Sequence, residues 1–128
     1  MEQCVVIVFN AELSVFPKDE SLLNVRDSQG ESNRRAIMEF LAELKPEGGT
    51  NTLWALEKAY SYPNIDTIIL FTDGAPNNGM QSEIDRGIAE KIYVRCSEHP
   101  GIPINAVGLG DYFKEDLANF LLKITELS

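Results

Sequence analysis

The stretch Asp66-Thr-Ile-Ile-Leu-Phe-Thr-Asp-Gly-Ala-Pro-Asn77 decides how this chain is read. Thr67 to Phe71 are apolar or β-branched without a break, a run too short for a buried helix, and it stops at Thr72-Asp73-Gly74. A continuous apolar run bounded by turn residues predicts a strand covered on both faces, as in a parallel sheet flanked by helices. Thr72 and Asp73 then fall just past the carboxyl end of that strand, where open α/β sheets bind their ligands.

The same pattern recurs on either side. Upstream, Cys4 to Phe9 is a second short apolar run and predicts another buried strand. Asn10-Ala11-Glu12 turns the chain into Leu13–Phe16, a hairpin partner at a sheet edge, where the following Pro17 does no harm. Residues 17–31 are polar and predict a loop across one end of the sheet. Ala36, Ile37, Phe40, Leu41 and Leu44 then recur at helical spacing, with Ser32 as the expected N-cap and Pro46, Gly48 and Gly49 as the stop. Thr50 or Asn51 caps the next helix, which buries Leu53, Leu56 and Tyr60 and ends at Pro63-Asn64.

Downstream of Gly79, Ile84, Ile88, Ile92 and Cys96 fall at intervals of four and predict a long helix closed by His99-Pro100-Gly101. Ile104–Leu109 is the next strand, and Leu117, Phe120, Leu121 and Ile124 share one face of a last helix. Strands alternating with helices imply a parallel sheet with right-handed crossovers. The expected fold class is α/β: a doubly wound, mostly parallel sheet with one antiparallel edge strand, in a Rossmann-like three-layer sandwich. There is no repeat, linker or low-complexity segment, so residues 1–128 read as a single domain.

Composition narrows the partners. The chain of 128 residues is 44% hydrophobic and carries 20 acidic against 11 basic residues, a formal net charge of −9. That balance disfavours nucleic acid and anionic membrane as partners and favours cations or basic surfaces. No apolar run approaches the roughly 18 residues of a membrane span, and no signal-peptide pattern precedes the first strand, so a cytoplasmic location is expected. Cys4 and Cys96 have no metal-ligand spacing; reduced thiols in a strand and a helix are expected, with a disulfide as the alternative. His99, the one histidine, reads as a solvated loop residue and belongs to no motif that would make a catalytic triad.

Three loops are expected to meet at the carboxyl end of the sheet: Gly48-Gly49-Thr50-Asn51, Thr72-Asp73-Gly74 and Gly108-Leu109-Gly110-Asp111. The Thr50 hydroxyl and Asp73 carboxylate are hard oxygen donors of the kind that suit Mg²⁺ or Mn²⁺ rather than zinc. The plainer alternative is that Thr50 caps a helix and Asp73 pins its own loop.

Taken together, Gly-Gly-Thr-Asn before a helix, Ile-Ile-Leu-Phe-Thr-Asp-Gly-Ala-Pro-Asn, and Ile-Asn-Ala-Val-Gly-Leu-Gly-Asp resemble the von Willebrand factor type A domain family. The resemblance runs from about Cys4 to the chain end and keeps the family's order of elements. It implies a protein-binding module whose metal-ion-dependent adhesion site takes a Thr from the Gly-Gly-Thr loop and an Asp from the Thr-Asp-Gly loop. Thr50 and Asp73 match those positions, and a carboxylate from the partner would complete the metal's octahedron.

The family's third element, Asp-x-Ser-x-Ser after its first strand, has no match here. Asp19-Glu20-Ser21-Leu22-Leu23 supplies one Asp and one Ser and lacks the remaining polar position. By this resemblance the chain enters the fold after the family's first strand and helix and ends before its short final strand. Two consequences are expected. Metal affinity is weak, because two protein ligands leave water to fill most of the coordination sphere. The strand that would lie between Val5–Phe9 and Thr67–Phe71 is also missing, so those strands either pair directly or take a strand from elsewhere, a second copy of the chain included.

Rival functions fare less well. A degenerate domain serving as scaffold or oligomerisation unit, without metal, fits the missing ligands. A Mg²⁺-dependent phosphatase of the haloacid-dehalogenase type would need a nucleophilic aspartate where Phe71 stands, and phenylalanine cannot form an aspartyl phosphate. A nucleotide site is disfavoured because Gly108-Leu109-Gly110 lacks a third glycine and is followed by Asp111. The chain thus reads as a binding module rather than an enzyme.

Overall fold

A computed structural model describes residues 2–9, 13–44, 51–72, 76, 85–108 and 115–128. In chain order these hold β1 (Gln3–Cys4), β2 (Val6–Phe9), β3 (Leu13–Phe16), β4 (Leu23–Asn24), a 3-10 turn (Ser28–Gly30), α1 (Glu31–Ala42), α2 (Thr52–Tyr60), β5 (Ile68–Thr72), α3 (Arg86–Glu98), β6 (Ile104–Gly108) and α4 (Glu115–Leu127). The architecture is α/β.

β5 and β6 pair in parallel, in a register that runs from Ile68 opposite Ile104 to Thr72 opposite Gly108. Over this pair lie α2, α3 and α4. Leu56 and Ala59, Ala89, Ile92 and Cys96, and Phe120 and Ile124 close on Ile68, Leu70 and Ile104 as one buried cluster. Each of the large side chains in it stabilises the fold by roughly 1.5–3 kcal/mol through burial. The helical periodicities at Ile88–Ile92–Cys96 and Leu117–Phe120–Ile124 are the stripes that meet this core. Ile84 lies outside the described residues.

The expectation that the β5 run is covered on both faces does not hold among the described residues. Ile68, Leu70 and Thr72 point into the core, whereas Ile69 and Phe71 are exposed at 45% and 59%. Val107 on the neighbouring strand is exposed beside them. The helices α2 to α4 all pack on one face, so alternate side chains of the run are left outside. Its boundaries also shift by one residue: Thr72 is the last residue of the strand and not the first beyond it.

The amino-terminal part departs from the expectation in three ways. Cys4–Phe9 is not one buried strand: it breaks at Val5 and is half-buried, because β1 turns away to pair with β4 while β2 pairs with β3. Residues 17–31 are not simply a loop, since they supply β4 and the 3-10 turn. Ser32 is not the N-cap of α1. That helix starts two residues earlier, at Glu31 behind Gly30, with no side-chain cap. It is held instead by Asn33 Nδ2 donating to the Asn24 carbonyl at 2.8 Å and by Arg34 Nη1 donating to the carbonyls of Val25 and Asp27 at 2.7 Å each. Gly30 is required there, as a Cβ would meet the Val25 backbone at 2.4 Å.

The described residues form three two-stranded ladders, and none joins β2 to β5. Both strands nevertheless share the core, because Ile7 and Phe9 of β2 pack against the same buried cluster as Ile68 and Leu70. Cys4 and Cys96 are free thiols, half-buried and buried respectively. His99 is not a solvated loop residue: it is half-buried, caps the end of α3 and stacks on Tyr60 with ring centroids 3.9 Å apart. Among the described residues no helix is long and apolar enough to cross a membrane.

Candidate functional site

The directions of the elements determine which loops can cooperate. The parallel register of β5 and β6 puts Thr72 directly beside Gly108, so the chain leaves both strands at the same edge of the fold. The Thr72-Asp73-Gly74 and Gly108–Asp111 loops therefore start side by side.

The start of α3 lies at that edge too. Asp85 caps α3 by accepting from Ile88 N at 3.1 Å, and its own backbone N–H donates to the carbonyl of buried Pro76, four residues past Thr72, at 2.8 Å. α2 runs alongside α3 in the same direction: Glu57 meets Arg95 at 3.3 Å, and three residues on, Tyr60 stacks on His99. His99 lies just before β6, whose first residue is Ile104, so both helices end at the amino edge of the strands. Their first turns stand at the carboxyl edge. Nine residues make α2 about 13 Å long.

Thr50 and Asp73 themselves lie outside the described residues. Their neighbours in sequence, Asn51 and Thr72, are among the described residues. Asn51 caps α2 by accepting from Trp54 N at 3.3 Å, so of the two caps read from sequence, Asn51 fills the role. Thr52, the first residue of the helix, is fully buried, and its hydroxyl has no hydrogen-bond partner among the described residues. Burying a hydroxyl without a partner costs about 1–3 kcal/mol. Thr72 is also buried and polar. Buried hydroxyls are thus set at the two points from which the candidate ligand loops depart, and they are hard oxygens of the class that Mg²⁺ and Mn²⁺ take.

The distant Asp19-Glu20-Ser21 segment is a local turn. Ser21 donates to Asp19 Oδ1 from its hydroxyl at 2.7 Å and from its backbone N–H at 3.1 Å, and these bonds hold the Asp19 carboxyl below the usual carboxylate range. Glu20 is tied by its carboxylate to Lys58 on α2 at 2.7 Å. The segment therefore does not stand in for the Asp-x-Ser-x-Ser element. Among the described residues no group of three or more His, Cys, Asp or Glu side chains could hold a metal elsewhere.

Thr52 was not legible as a site residue. A threonine after a capping asparagine is ordinary helix-start chemistry, and only its burial without a partner sets it apart. No curated protein and no solved structure matches the chain. A family model, that of the von Willebrand factor type A domain, matches residues 5–126, nearly the whole sequence. The chain belongs to the von Willebrand factor type A domain family.

Proposed function

We propose that this domain is a protein-binding module of the type A class, and not an enzyme, with an incomplete metal-ion-dependent adhesion site at the carboxyl edge of β5 and β6. Domains of this family commonly serve as protein-interaction modules. The observation that carries the proposal is the pairing of Thr72 with Gly108, with the first turns of α2 and α3 at the same edge. Thr50 and Asp73 are each the sequence neighbour of a described residue, Asn51 at the start of α2 and Thr72 at the end of β5. Thr50 would supply a hydroxyl and Asp73 a carboxylate to Mg²⁺ or Mn²⁺. The ion would supply a Lewis-acidic point of attachment for an acidic side chain of the protein partner, with water in the remaining positions. A net charge of −9 is compatible with a cation-dependent contact and argues against nucleic acid or anionic lipid as the partner.

Calorimetric titration with Mn²⁺ or Mg²⁺ tests this. Measurable binding that Thr50→Ala and Asp73→Ala each weaken supports it. No heat and no shift in melting temperature at millimolar metal contradicts it.

A second role is favoured by a different observation. The apolar side chains of Ile69, Phe71 and Val107 are exposed on the uncovered face of β5 and β6, and among the described residues no ladder joins β2 to β5. Open apolar strands of this kind are pairing sites. A type A domain working as a scaffold or oligomerisation unit, closing these edges with a second copy, would use them without any metal.

A further inference from the structure

Two apolar surfaces among the described residues lack a partner, and they are of complementary kinds. The first is the outer face of β5 and β6, where Ile69, Phe71 and Val107 are exposed together. A sheet face of this kind is ordinarily covered by a helix. Neither strand contains a charged residue, so two chains of net charge −9 can meet there without opposed charges from the sheet.

The second surface is on α1. No residue of this twelve-residue helix is buried. One side rests on its own chain, where Phe40 stacks on Phe16 with ring centroids 4.6 Å apart and Ala36 and Ile37 are half-buried. Met38, 69% exposed, and Leu41 lie three residues apart on another side. Leu44 extends that line, its backbone N–H donating to the Leu41 carbonyl, and is exposed as well. A helix this short is marginal in water unless an apolar side is packed.

We propose that a second copy of the chain joins these surfaces. Met38, Leu41 and Leu44 of one protomer lie across Ile69, Phe71 and Val107 of the other, and two-fold symmetry repeats the contact. This deepens the scaffold reading and rests on it, naming a helix-on-sheet contact where that reading asks only for closed strand edges. Within one chain both surfaces stay exposed, so α1 does not cover its own sheet face. The dimensions agree: twelve residues make a helix about 18 Å long, and five make a strand about 17 Å long. A stable interface takes about 800 Å² from each partner, more than a three-residue patch supplies. The two-fold exchange lets each protomer contribute both patches.

The test uses the whole chain. Light scattering is expected to give a wild-type mass near twice that of the chain, and a monomer for Met38→Glu and for Phe71→Glu. Leu122→Glu, exposed elsewhere on α4, should stay dimeric. The Met38→Cys and Phe71→Cys variants, mixed and treated with a short bis-maleimide, are expected to yield a linked peptide joining position 38 of one copy to position 71 of the other. Wild type, with Cys4 and Cys96 alone, is the control. A dimer that both glutamate variants leave intact, with no link between positions 38 and 71, overturns the inference and leaves the scaffold reading standing. A wild-type monomer at all concentrations overturns both. A link formed within one chain of the double variant carrying Met38→Cys and Phe71→Cys means that α1 covers its own sheet, and the inference falls.

Discussion

At the scale of single residues, three side chains decide local structure and each can be tested. Asn51 supplies the cap of α2 through its bond to Trp54 N. Asn51→Ala is expected to cost about 1 kcal/mol in urea unfolding. Gly30 sits where a Cβ would meet the Val25 backbone at 2.4 Å, so Gly30→Ala is expected to cost on the order of 1–3 kcal/mol, with loss read by the same measurement. Burial raises the pKa of Cys96 above 9.0, and burial, with Cys96 as a neighbour, raises that of Tyr60 above 10.0. The folded state then holds these protons more tightly than the unfolded state, so their stabilising effect is complete below about pH 9 and is lost as pH rises beyond it. Urea unfolding at about pH 8 and about pH 10.5 should show lower stability at the higher value, and equal stabilities would contradict the burial of these groups. Such residues divide by their physics in how far the sequence reveals them. A cap is legible because Asn before a helical pattern has one common use, whereas the Gly30 contact and the Thr52 hydroxyl depend on neighbours distant in sequence or hidden by packing.

At the scale of elements, the apolar run of β5 shows what a local pattern can and cannot say. The run does form a strand, with Ile68 and Leu70 in the core. Its second covered face was inferred from the absence of polar residues, but coverage is supplied by other elements, and α2, α3 and α4 all pack on one side. Leu70→Ala is therefore expected to cost about 2–5 kcal/mol, while Phe71→Thr, on the open face, should change monomer stability by no more than about 0.5 kcal/mol. Equal losses at the two positions in urea unfolding would show that the outer face is covered as well. The helices α3 and α4 were legible because their stripes repeat over three to four turns. The two-residue strands β1 and β4 were not, since so short a ladder leaves no periodicity and is fixed by backbone pairing of Gln3 with Asn24 and Cys4 with Leu23.

At the scale of the whole molecule, two hydrophobic ladders share one core without a strand ladder between them. β5 contributes Ile68 and Leu70 to the buried cluster, β2 packs Ile7 and Phe9 against it, and each strand has one hydrogen-bonded neighbour among the described residues. Closure of these edges by a second copy predicts a mass near twice that of the chain in size-exclusion chromatography with light scattering, and a return to monomer on Phe71→Glu. A monomer at all concentrations would contradict that closure. The order of elements was legible along most of the chain, which is why the family resemblance could be drawn from three loops. The direction of α2 beside α3 and the pairing of Thr72 with Gly108 show how the described strand and helix ends are arranged, which no local sequence pattern could give. Calorimetric titration of the full chain with Mn²⁺ tests the metal-dependent reading most directly: measurable binding is expected, weakened about tenfold or more by Thr50→Ala and by Asp73→Ala. Absence of heat and of any thermal shift at millimolar Mn²⁺, or binding that both variants leave unchanged, would contradict it.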